Sequence, residues 1–248
     1  MHTKHKTIRF EDLPSTQLYA MEKGGSLEDG TVIVAGHQSE GRGRLGRTWL
    51  SPPGEALLFS ILLKPPFSAG EASLMTPVLS VAVARALRTA GVKAGLRWPN
   101  DVVVGEAKIA GIIAEARIED GKLVFVAVGA GVNVNQDAGF LSGIDRPATS
   151  VFAETGRRGD PYALLKPILS SFDGLLSAFL ESGFSGVFEH WSGLMDHGDE
   201  MIALDFGDRI VKGRIRGFGE DGSIEIEGQS GLISRHLSGE VIRVTAAG

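Results

Sequence analysis

The sequence predicts an α+β fold in which a central β-sheet with helices precedes a small antiparallel β-barrel. Two continuous apolar runs, residues 31–35 and 56–63, suit strands that are buried on both faces. Apolar residues recur at helical spacing in residues 71–90 and again in residues 160–180. Short alternating segments separated by Gly-Asp and Asp-Gly turns fill residues 200–244, which is the pattern of a small antiparallel barrel.

Composition sets the outer limits of the interpretation. A chain of 248 residues with 43% hydrophobic and 22% charged residues fits one large domain with a small companion. The absence of cysteine from the sequence excludes a disulfide framework, a thiol nucleophile and thiolate metal sites. Residues 1–6 contain no apolar signal-peptide core, and no window reaches the roughly 18 uninterrupted apolar residues of a membrane span. We therefore expect a cytoplasmic protein with no membrane partner, and the net charge of −5 argues against a nucleic-acid partner.

The first predicted elements are a short strand over residues 8–13 and a helix that begins just after it. Ser15 or Thr16 either caps this helix by accepting hydrogen bonds from its free N–H groups or donates to a ligand. The residues alone leave both interpretations open. The helix predicted over residues 71–90 contains Pro77, so either it begins just before this proline or an earlier turn is kinked there.

A loop rich in arginine and glycine lies between the two apolar runs. Its sequence is Gly41-Arg42-Gly43-Arg44-Leu45-Gly46-Arg47-Thr48-Trp49. Glycines at this spacing let backbone N–H groups form a concavity for an anion, and arginines add charged forks that fit carboxylate or phosphate. The Gly-x-Gly-x-x-Gly pattern also matches a dinucleotide-binding fingerprint, but the Pro-Pro-Gly that follows cannot start the required helix. The other alternative is a mobile, solvated turn.

A second polar stretch, Arg97-Trp98-Pro99-Asn100-Asp101, precedes two β-rich runs joined by a Gly-Glu turn, which predicts a hairpin. The proline ends strand pairing, so we expect Asn100 and Asp101 to lie at a strand break and face a pocket. Taken singly, Asp101 fits an Asx turn and Lys108 fits a solvated lysine on an edge strand.

Residues 123–128 form a further predicted strand, which leads into Gly129-Ala130-Gly131-Val132-Asn133. Glycines there permit a close approach of the backbone to a ligand. Asn133 is a polar group among small residues, which suits the recognition of a base or amide edge. Trp49 is either a core tryptophan or the cover of an adenine ring.

The C-terminal part begins with a polar connector over residues 136–146. A long amphipathic helix starts at Asp160-Pro161, and Pro167 bends this helix or delays its start. The helical pattern recurs briefly in residues 184–195. The predicted β segments are residues 200–206, 209–218, 223–227 and 231–244.

Four motifs occur together in a fixed order. They are Gln38 with the arginine loop, the stretch from Arg97 to Asp101, Lys108-Ile109-Ala110-Gly111, and Gly129-Ala130-Gly131-Val132-Asn133-Val134. In this order they resemble the biotin protein ligases, from about residue 8 to residue 244. The chain departs from the family at Gln17, where Asn is usual, at Arg97, where Lys is frequent, and at Glu40, where a small or neutral residue is common.

The resemblance implies a catalytic domain with the mixed sheet of class II synthetases over residues 1–197 and an SH3-like domain over residues 198–248. It implies an ATP-dependent biotin–[biotin carboxyl-carrier protein] ligase. The biotin carboxylate attacks the α-phosphate of ATP to give biotinyl-5′-AMP, and a lysine of a biotin carboxyl carrier protein domain then attacks this mixed anhydride. ATP and biotin are the substrates, and Mg²⁺ accompanies the triphosphate.

Other expectations concern partners and alternatives. The family includes repressors with an N-terminal DNA-binding domain, and only a few residues precede the first strand here, so we expect no transcriptional role. A homodimer through the central sheet is also implied by the resemblance. The alternatives are a lipoate protein ligase and a catalytically inactive biotin- or nucleotide-binding module, and the presence of Lys108 argues against the second.

The resemblance also assigns the site residues. Catalysis falls to Lys108, Arg42 and Arg44. Biotin binding falls to Ser15, Thr16, Gln17, Gln38, Arg42, Gly43, Arg44, Lys108, Gly111 and Ile112. ATP binding falls to Arg44, Arg47, Trp49, Asn100, Asp101, Lys108 and Asn133, with Asp101 as the Mg²⁺ ligand. Because two anions must meet, the site needs fixed positive charge and positioning, and residues 38–53 are expected to close over the product.

Overall fold

The larger part of the molecule is a seven-stranded sheet. A computed structural model describes residues 5–64, 66–196 and 201–243. The strands of this sheet are β1 (Thr7–Leu13), β2 (Val32–Gln38), β3 (Ala56–Leu63), β4 (Gly95–Arg97), β5 (Asp101–Val104), β6 (Ala107–Glu119) and β7 (Lys122–Asn133). Their order is β1-β2-β3-β7-β6-β5-β4, with β1 parallel to β2 and the other neighbours antiparallel. The sheet is therefore mixed, as predicted.

Helices cover both faces of this sheet. They are α1 (Thr16–Lys23), α2 (Met75–Thr89), α3 (Ala138–Leu141), α4 (Val151–Thr155), α5 (Leu165–Ser182) and α6 (Ser185–Ser192). Alternate strand residues such as Val32, Val34 and Phe59 join the large core that includes α2 and α5. On the opposite face, Ala20 of α1 packs against Ile33 and Ala127.

Both helical prolines delay the start of their helices. Pro77 lies in the first turn of α2, which follows a 3₁₀ turn over Ala69–Leu74. Pro167 lies in the first turn of α5, after a 3₁₀ turn over Pro161–Leu164 whose N-cap is Asp160. A proline has no N–H to donate, and the first turn of a helix needs none, so these positions tolerate it.

The segment Pro161–Ser182 is long and apolar enough, by length and composition, to cross a membrane. Part of its apolar stripe packs inside the protein, because Ile168, Phe172 and Phe179 of α5 are buried in the core beside α2. Burying each of these side chains stabilises the fold by roughly 1.5–3 kcal/mol.

The C-terminal part is a separate five-stranded antiparallel sheet. Its strands are β8 (Met201–Asp205), β9 (Ile210–Phe218), β10 (Ile224–Glu227), β11 (Ile233–His236) and β12 (Glu240–Arg243), in the order β11-β10-β9-β8-β12. The predicted segment 231–244 is thus two strands, since the chain turns at Gly239, whose φ of 125° favours glycine. The predicted domain boundary at residues 197 and 198 lies outside the described residues.

The C-terminal sheet docks beside the second polar motif. The indole Nε1 of Trp98 donates to the carbonyl oxygen of Gly222 at 3.0 Å. The rings of Trp191 and Phe218 meet edge to face at 5.3 Å. Trp98 therefore joins the two sheets. The predicted strand break lies between β4 and β5: it contains Asn100, and Asp101 is the first residue of β5.

Candidate active site

The floor of the candidate site is a stretch of sheet without side chains. Large residues of β6 and β7 point into the core, and the positions between them on the opposite face include Gly111, Gly129 and Gly131. A Cβ atom at Gly131 would lie 2.5 Å from Cε2 of Trp49, and one at Gly129 would lie 2.7 Å from Oγ of Ser60. The alternation of apolar residues with glycine therefore creates a flat surface on which a ring can lie.

One end of this floor meets the N-terminus of α1. Ser15 caps the helix, its Oγ accepting a long hydrogen bond of 3.4 Å from the N–H of Leu18. Thr16 donates to Oε1 of Gln38 from its backbone N–H at 2.7 Å and from its hydroxyl at 3.0 Å. Capping is therefore observed for Ser15, while the hydroxyl of Thr16 faces the last residue of β2.

A row of four oxygen atoms lines this end of the cavity. Oγ of Ser60 lies 3.0 Å from Oγ1 of Thr16 and 3.0 Å from Oε1 of Gln17. The orientation of the Gln17 amide is fixed because its Nε2 donates to the carbonyl oxygen of Ala127 at 2.9 Å. From Gln38 to Gln17 the row has three contacts but only two hydroxyl protons, since carboxamide oxygens donate none. This end is therefore rich in acceptors and suits a ligand that brings N–H groups.

The arginine loop crosses the cavity in a compact, hydrogen-bonded form. The N–H of Trp49 donates to the carbonyl oxygen of Gly41, and that of Gly43 donates to Arg47, each at 2.8 Å. A short 3₁₀ turn over Arg44–Gly46 reverses the chain, and it ends at Gly46 with φ of 73°. The antiparallel strands β2 and β3 hold the two ends of the loop.

Arg44 is the arginine that points to the strand break. Its Nη1 donates to Oδ1 of Asn100 at 3.2 Å, and Nδ2 of Asn100 donates to the carbonyl oxygen of Ile112 at 2.8 Å. Burial lowers the pKa of Arg44, whereas the charges of Asp101 and Glu240 act in the opposite direction. A guanidinium remains charged at neutral pH, so burial leaves a poorly hydrated cation that is ready to pair with an anion.

Lys108 faces Asp101 rather than open solvent. The two side chains form an ion pair of 2.6 Å, with 32% and 24% of their surfaces exposed. The ammonium also lies 5.7 Å from the centre of the Trp49 ring. The chain around Lys108 is fixed by a parallel bridge to Ala148. Asp101 thus orients a cation over the glycine floor. Lys108 is therefore not a solvated lysine on an edge strand, because β6 pairs with both β5 and β7.

Trp49 lies on the floor itself. A Cβ atom at Gly111 would lie 3.2 Å from the Trp49 ring, and one at Gly131 would lie 2.5 Å from it. The indole Nε1 is buried and has no hydrogen-bond partner among the described residues. The ring leaves a cavity of about 50 Å³. Cavities that hold small ligands usually measure about 300–1,000 Å³. A bicyclic ligand with a tail therefore requires Trp49 and its loop to move.

Most of the predicted site residues line this one cavity. They are Ser15, Thr16, Gln17, Gln38, Arg42, Gly43, Arg44, Trp49, Asn100, Lys108, Gly111 and Ile112. The side chain of Ile112 is buried in the core, so it contributes backbone, and Ile113 is the neighbour on the site face. Sequence reasoning did not single out Ser60 or Ile113; a serine inside the apolar run 56–63 was the available signal.

Three predicted residues are not among those that line the cavity: Arg47, Asn133 and Asp101, which reaches the site through its ion pair with Lys108. Arg47 forms an ion pair with Glu240 of the C-terminal sheet. Asn133 is buried, with its Nδ2 donating to the carbonyl oxygen of Thr149 at 3.0 Å and its Oδ1 accepting from Gln136 at 3.1 Å. The part of the chain that the structure describes contains no group of three or more His, Cys, Asp or Glu residues suited to a metal ion. Asp101 is a single carboxylate, which suits Mg²⁺ only when phosphate oxygens complete its shell.

Comparison with known proteins decides the family. The sequence profile of the Biotin/lipoate A/B protein ligase family matches residues 8–133. The chain belongs to this family. The match spans β1 to β7, so it covers the sheet that carries the candidate site.

Individual members of the biotin/lipoate ligase family agree over most of the chain. The biotin protein ligase from Aquifex aeolicus, solved in complex with biotin and ATP, is 31% identical, with a TM-score of 0.82 over 96% of this chain and 99% of that one. The biotin–[acetyl-CoA-carboxylase] ligase of Paracoccus denitrificans is 29% identical over 88% of this chain and 92% of its own length. The bifunctional ligase/repressor BirA of Bacillus subtilis is 29% identical over 91% of this chain and 70% of its own. The family and fold predicted from the motifs are confirmed.

Proposed function

We propose that this chain is a biotin protein ligase that forms biotinyl-5′-AMP from biotin and ATP and transfers biotin to a lysine of a biotin carboxyl carrier protein domain. One observation carries the proposal: a single cavity has an end rich in hydrogen-bond acceptors and an end rich in cations. Thr16, Ser60 and Gln38 supply the first end, and Lys108 and Arg44 supply the second. Similarity to the Aquifex aeolicus ligase complex with biotin and ATP supports it.

The acceptor-rich end favours biotin over lipoate. The ring head of biotin presents two ureido N–H groups, whereas the dithiolane ring of lipoate has no hydrogen-bond donor. A site built to hydrogen-bond a substrate rejects an analogue that lacks the group, because its own buried polar atoms are then left unpaired. We assign Ser15, Thr16, Gln17 and Gln38 to the ureido ring, and Gly43, Gly111 and the backbone of Ile112 to the tail.

The chemistry needs cations rather than a nucleophile of the enzyme. A carboxylate oxygen of biotin bonds to the α-phosphorus of ATP, and pyrophosphate leaves with the electron pair of the broken P–O bond. Both reactants are anions, so Lys108 and Arg44, with Arg42 at the rim, lower the barrier by neutralising their charge. In the second step the neutral amine of the carrier lysine bonds to the acyl carbon, loses a proton, and AMP leaves.

The nucleotide is assigned to the cationic end and the space above it. We assign Trp49, once it leaves the glycine floor, to cover the adenine. Asn133 would read the adenine edge only by giving up its hydrogen bonds to Thr149 and Gln136. Asn100 lies beside Arg44, where phosphate oxygens would meet the guanidinium. Mg²⁺ arrives with the triphosphate, and Asp101 is the carboxylate that would hold it, since Mg²⁺ often takes one or two protein carboxylates beside phosphate.

The finer expectations about partners belong to the same proposal. The chain would divide into a catalytic unit and a C-terminal SH3-like unit near residue 198. A homodimer through the central sheet is expected from the family, and sedimentation measures it. The net charge of −5 supports the expectation of no nucleic-acid partner. A cytoplasmic location agrees with the lack of cysteine in the sequence.

One incubation tests the proposed function. The purified chain is given ATP and Mg²⁺ with either biotin or lipoate, and pyrophosphate release and the mass of an added apo carrier domain are measured. We expect biotin alone to drive both signals. Labelling with lipoate would favour the lipoate ligase, and binding of biotin without pyrophosphate release would favour an inactive binding module.

A further inference from the structure

A carboxylate of the C-terminal sheet reaches the loops around the site. Glu240, the first residue of β12, forms ion pairs with both Arg47 and Arg146. Its partner Arg47 is separated from it by 193 residues, and only 15% of the Glu240 side chain is exposed. This contact therefore joins the far end of the chain to the arginine loop.

Both arginines belong to segments that border the reacting groups. Arg47 lies two residues before Trp49 in the arginine loop. Arg146 precedes Pro147, whose carbonyl oxygen accepts from the N–H of Lys108 at 2.9 Å. Each arginine also lines an open surface cavity, of about 610 Å³ at Arg47 and about 440 Å³ at Arg146. Glu240 thus holds two cations, one from each flank of the site.

The carboxyl group of Glu240 is ionised at neutral pH. Burial alone would raise its pKa, but the hydrogen bonds and charges of Arg47 and Arg146 outweigh burial, and the pKa is lowered from its ordinary value of 4.5. The two arginines are 48% and 55% exposed, so a soluble anion can approach them. A fixed carboxylate therefore occupies guanidinium groups that a phosphate group would also seek.

We propose that Glu240 is a displaceable latch: it holds Arg47 and Arg146 in place until a triphosphate takes over both guanidinium groups and frees the end of β12. The latch rests on the proposed function, because it assigns the triphosphate of ATP to these arginines. The C-terminal sheet stays attached when the latch opens, since Trp98 and Trp191 hold it through Gly222 and Phe218. The exchange couples nucleotide binding to the C-terminal sheet.

The variant Glu240→Gln tests the latch by removing the competing charge while keeping the shape. We expect inorganic tripolyphosphate and MgATP to bind about tenfold more tightly to this variant, which corresponds to about 1.4 kcal/mol. The matched control is Glu227→Gln, because Glu227 pairs with Arg216 within the C-terminal sheet at 2.5 Å, away from the loops. The control should bind both anions as the wild type does. Equal or weaker binding by Glu240→Gln would overturn the latch.

A second measurement uses the wild type, so that it does not depend on folding of a variant. Tripolyphosphate should raise hydrogen exchange at the β12 amides and leave that of β10 unchanged. Unchanged or reduced exchange at β12 would overturn the latch. The proposed function is judged separately, by wild-type pyrophosphate release with biotin, since tripolyphosphate binding requires neither adenine nor chemistry.

Discussion

Replacing Lys108 with alanine should impair catalysis far more than stability. The ammonium forms a 2.6 Å ion pair with Asp101, and about a third of the Lys108 side chain is exposed. Such a partly exposed pair is worth only about 0–1 kcal/mol of folding free energy, because solvent screens it. If Lys108 neutralises the reacting carboxylate and α-phosphate, its loss should slow adenylation about 100- to 1,000-fold, or roughly 2.7–4 kcal/mol of the barrier.

The assay is single-turnover pyrophosphate release with saturating biotin and ATP, together with urea unfolding. Lys122→Ala is the matched control, because Lys122 is an exposed lysine at the start of the neighbouring strand β7. The control should match the wild type in both measurements. If Lys108→Ala released pyrophosphate within threefold of the control while folding normally, the catalytic role of Lys108 would be refuted.

Three further outcomes test other parts of the site. Gly131→Ala places a Cβ 2.5 Å from Trp49, so it should displace the indole and shift its fluorescence. The same Cβ would stand on the floor where the biotin ring is expected, so biotin binding should weaken about tenfold in calorimetry. Unchanged affinity would show that the biotin ring does not lie on this floor. Ser60→Ala removes a hydroxyl from the oxygen row and should weaken biotin binding about tenfold without changing ATP affinity. The control Ser80→Ala should keep the wild-type biotin affinity, because among the described residues the Ser80 hydroxyl bonds only within α2. Because the pKa of Glu240 is lowered in the fold, its arginine pairs stabilise the protein above pH 4.5. The difference in Tm between wild type and Glu240→Gln should therefore be present at pH 7 and vanish as the pH falls below 4.5, and a difference that grew in acid would contradict this.

The elements predicted from the sequence are those with strong local patterns. The runs that became β2 and β3 are continuous and apolar, so their burial on both faces follows from composition, and the loop between them is held where expected. Pro77 and Pro167 left two alternatives each, and the 3₁₀ turns before α2 and α5 resolve them in favour of a delayed start. Local chemistry was sufficient for these elements.

The contacts that shape the site depend on tertiary structure. Ser60 meets Gln17 across 43 residues, and Arg47 meets Glu240 across 193. No local pattern announces either contact, because strand order and the docking of the C-terminal sheet bring the partners together. The position of Trp49 on the glycine floor has the same origin, since it depends on the pairing of β6 with β7.

The most direct test of the account is a crystal structure with biotin and a non-hydrolysable ATP analogue. We predict the ureido ring within hydrogen-bond distance of Thr16 and Gln38, and the carboxylate and α-phosphate both within reach of Lys108 and Arg44. Placement of both molecules away from Lys108 and Arg44 would contradict the central claim that fixed cations beside an acceptor-rich cavity bring the two anions together.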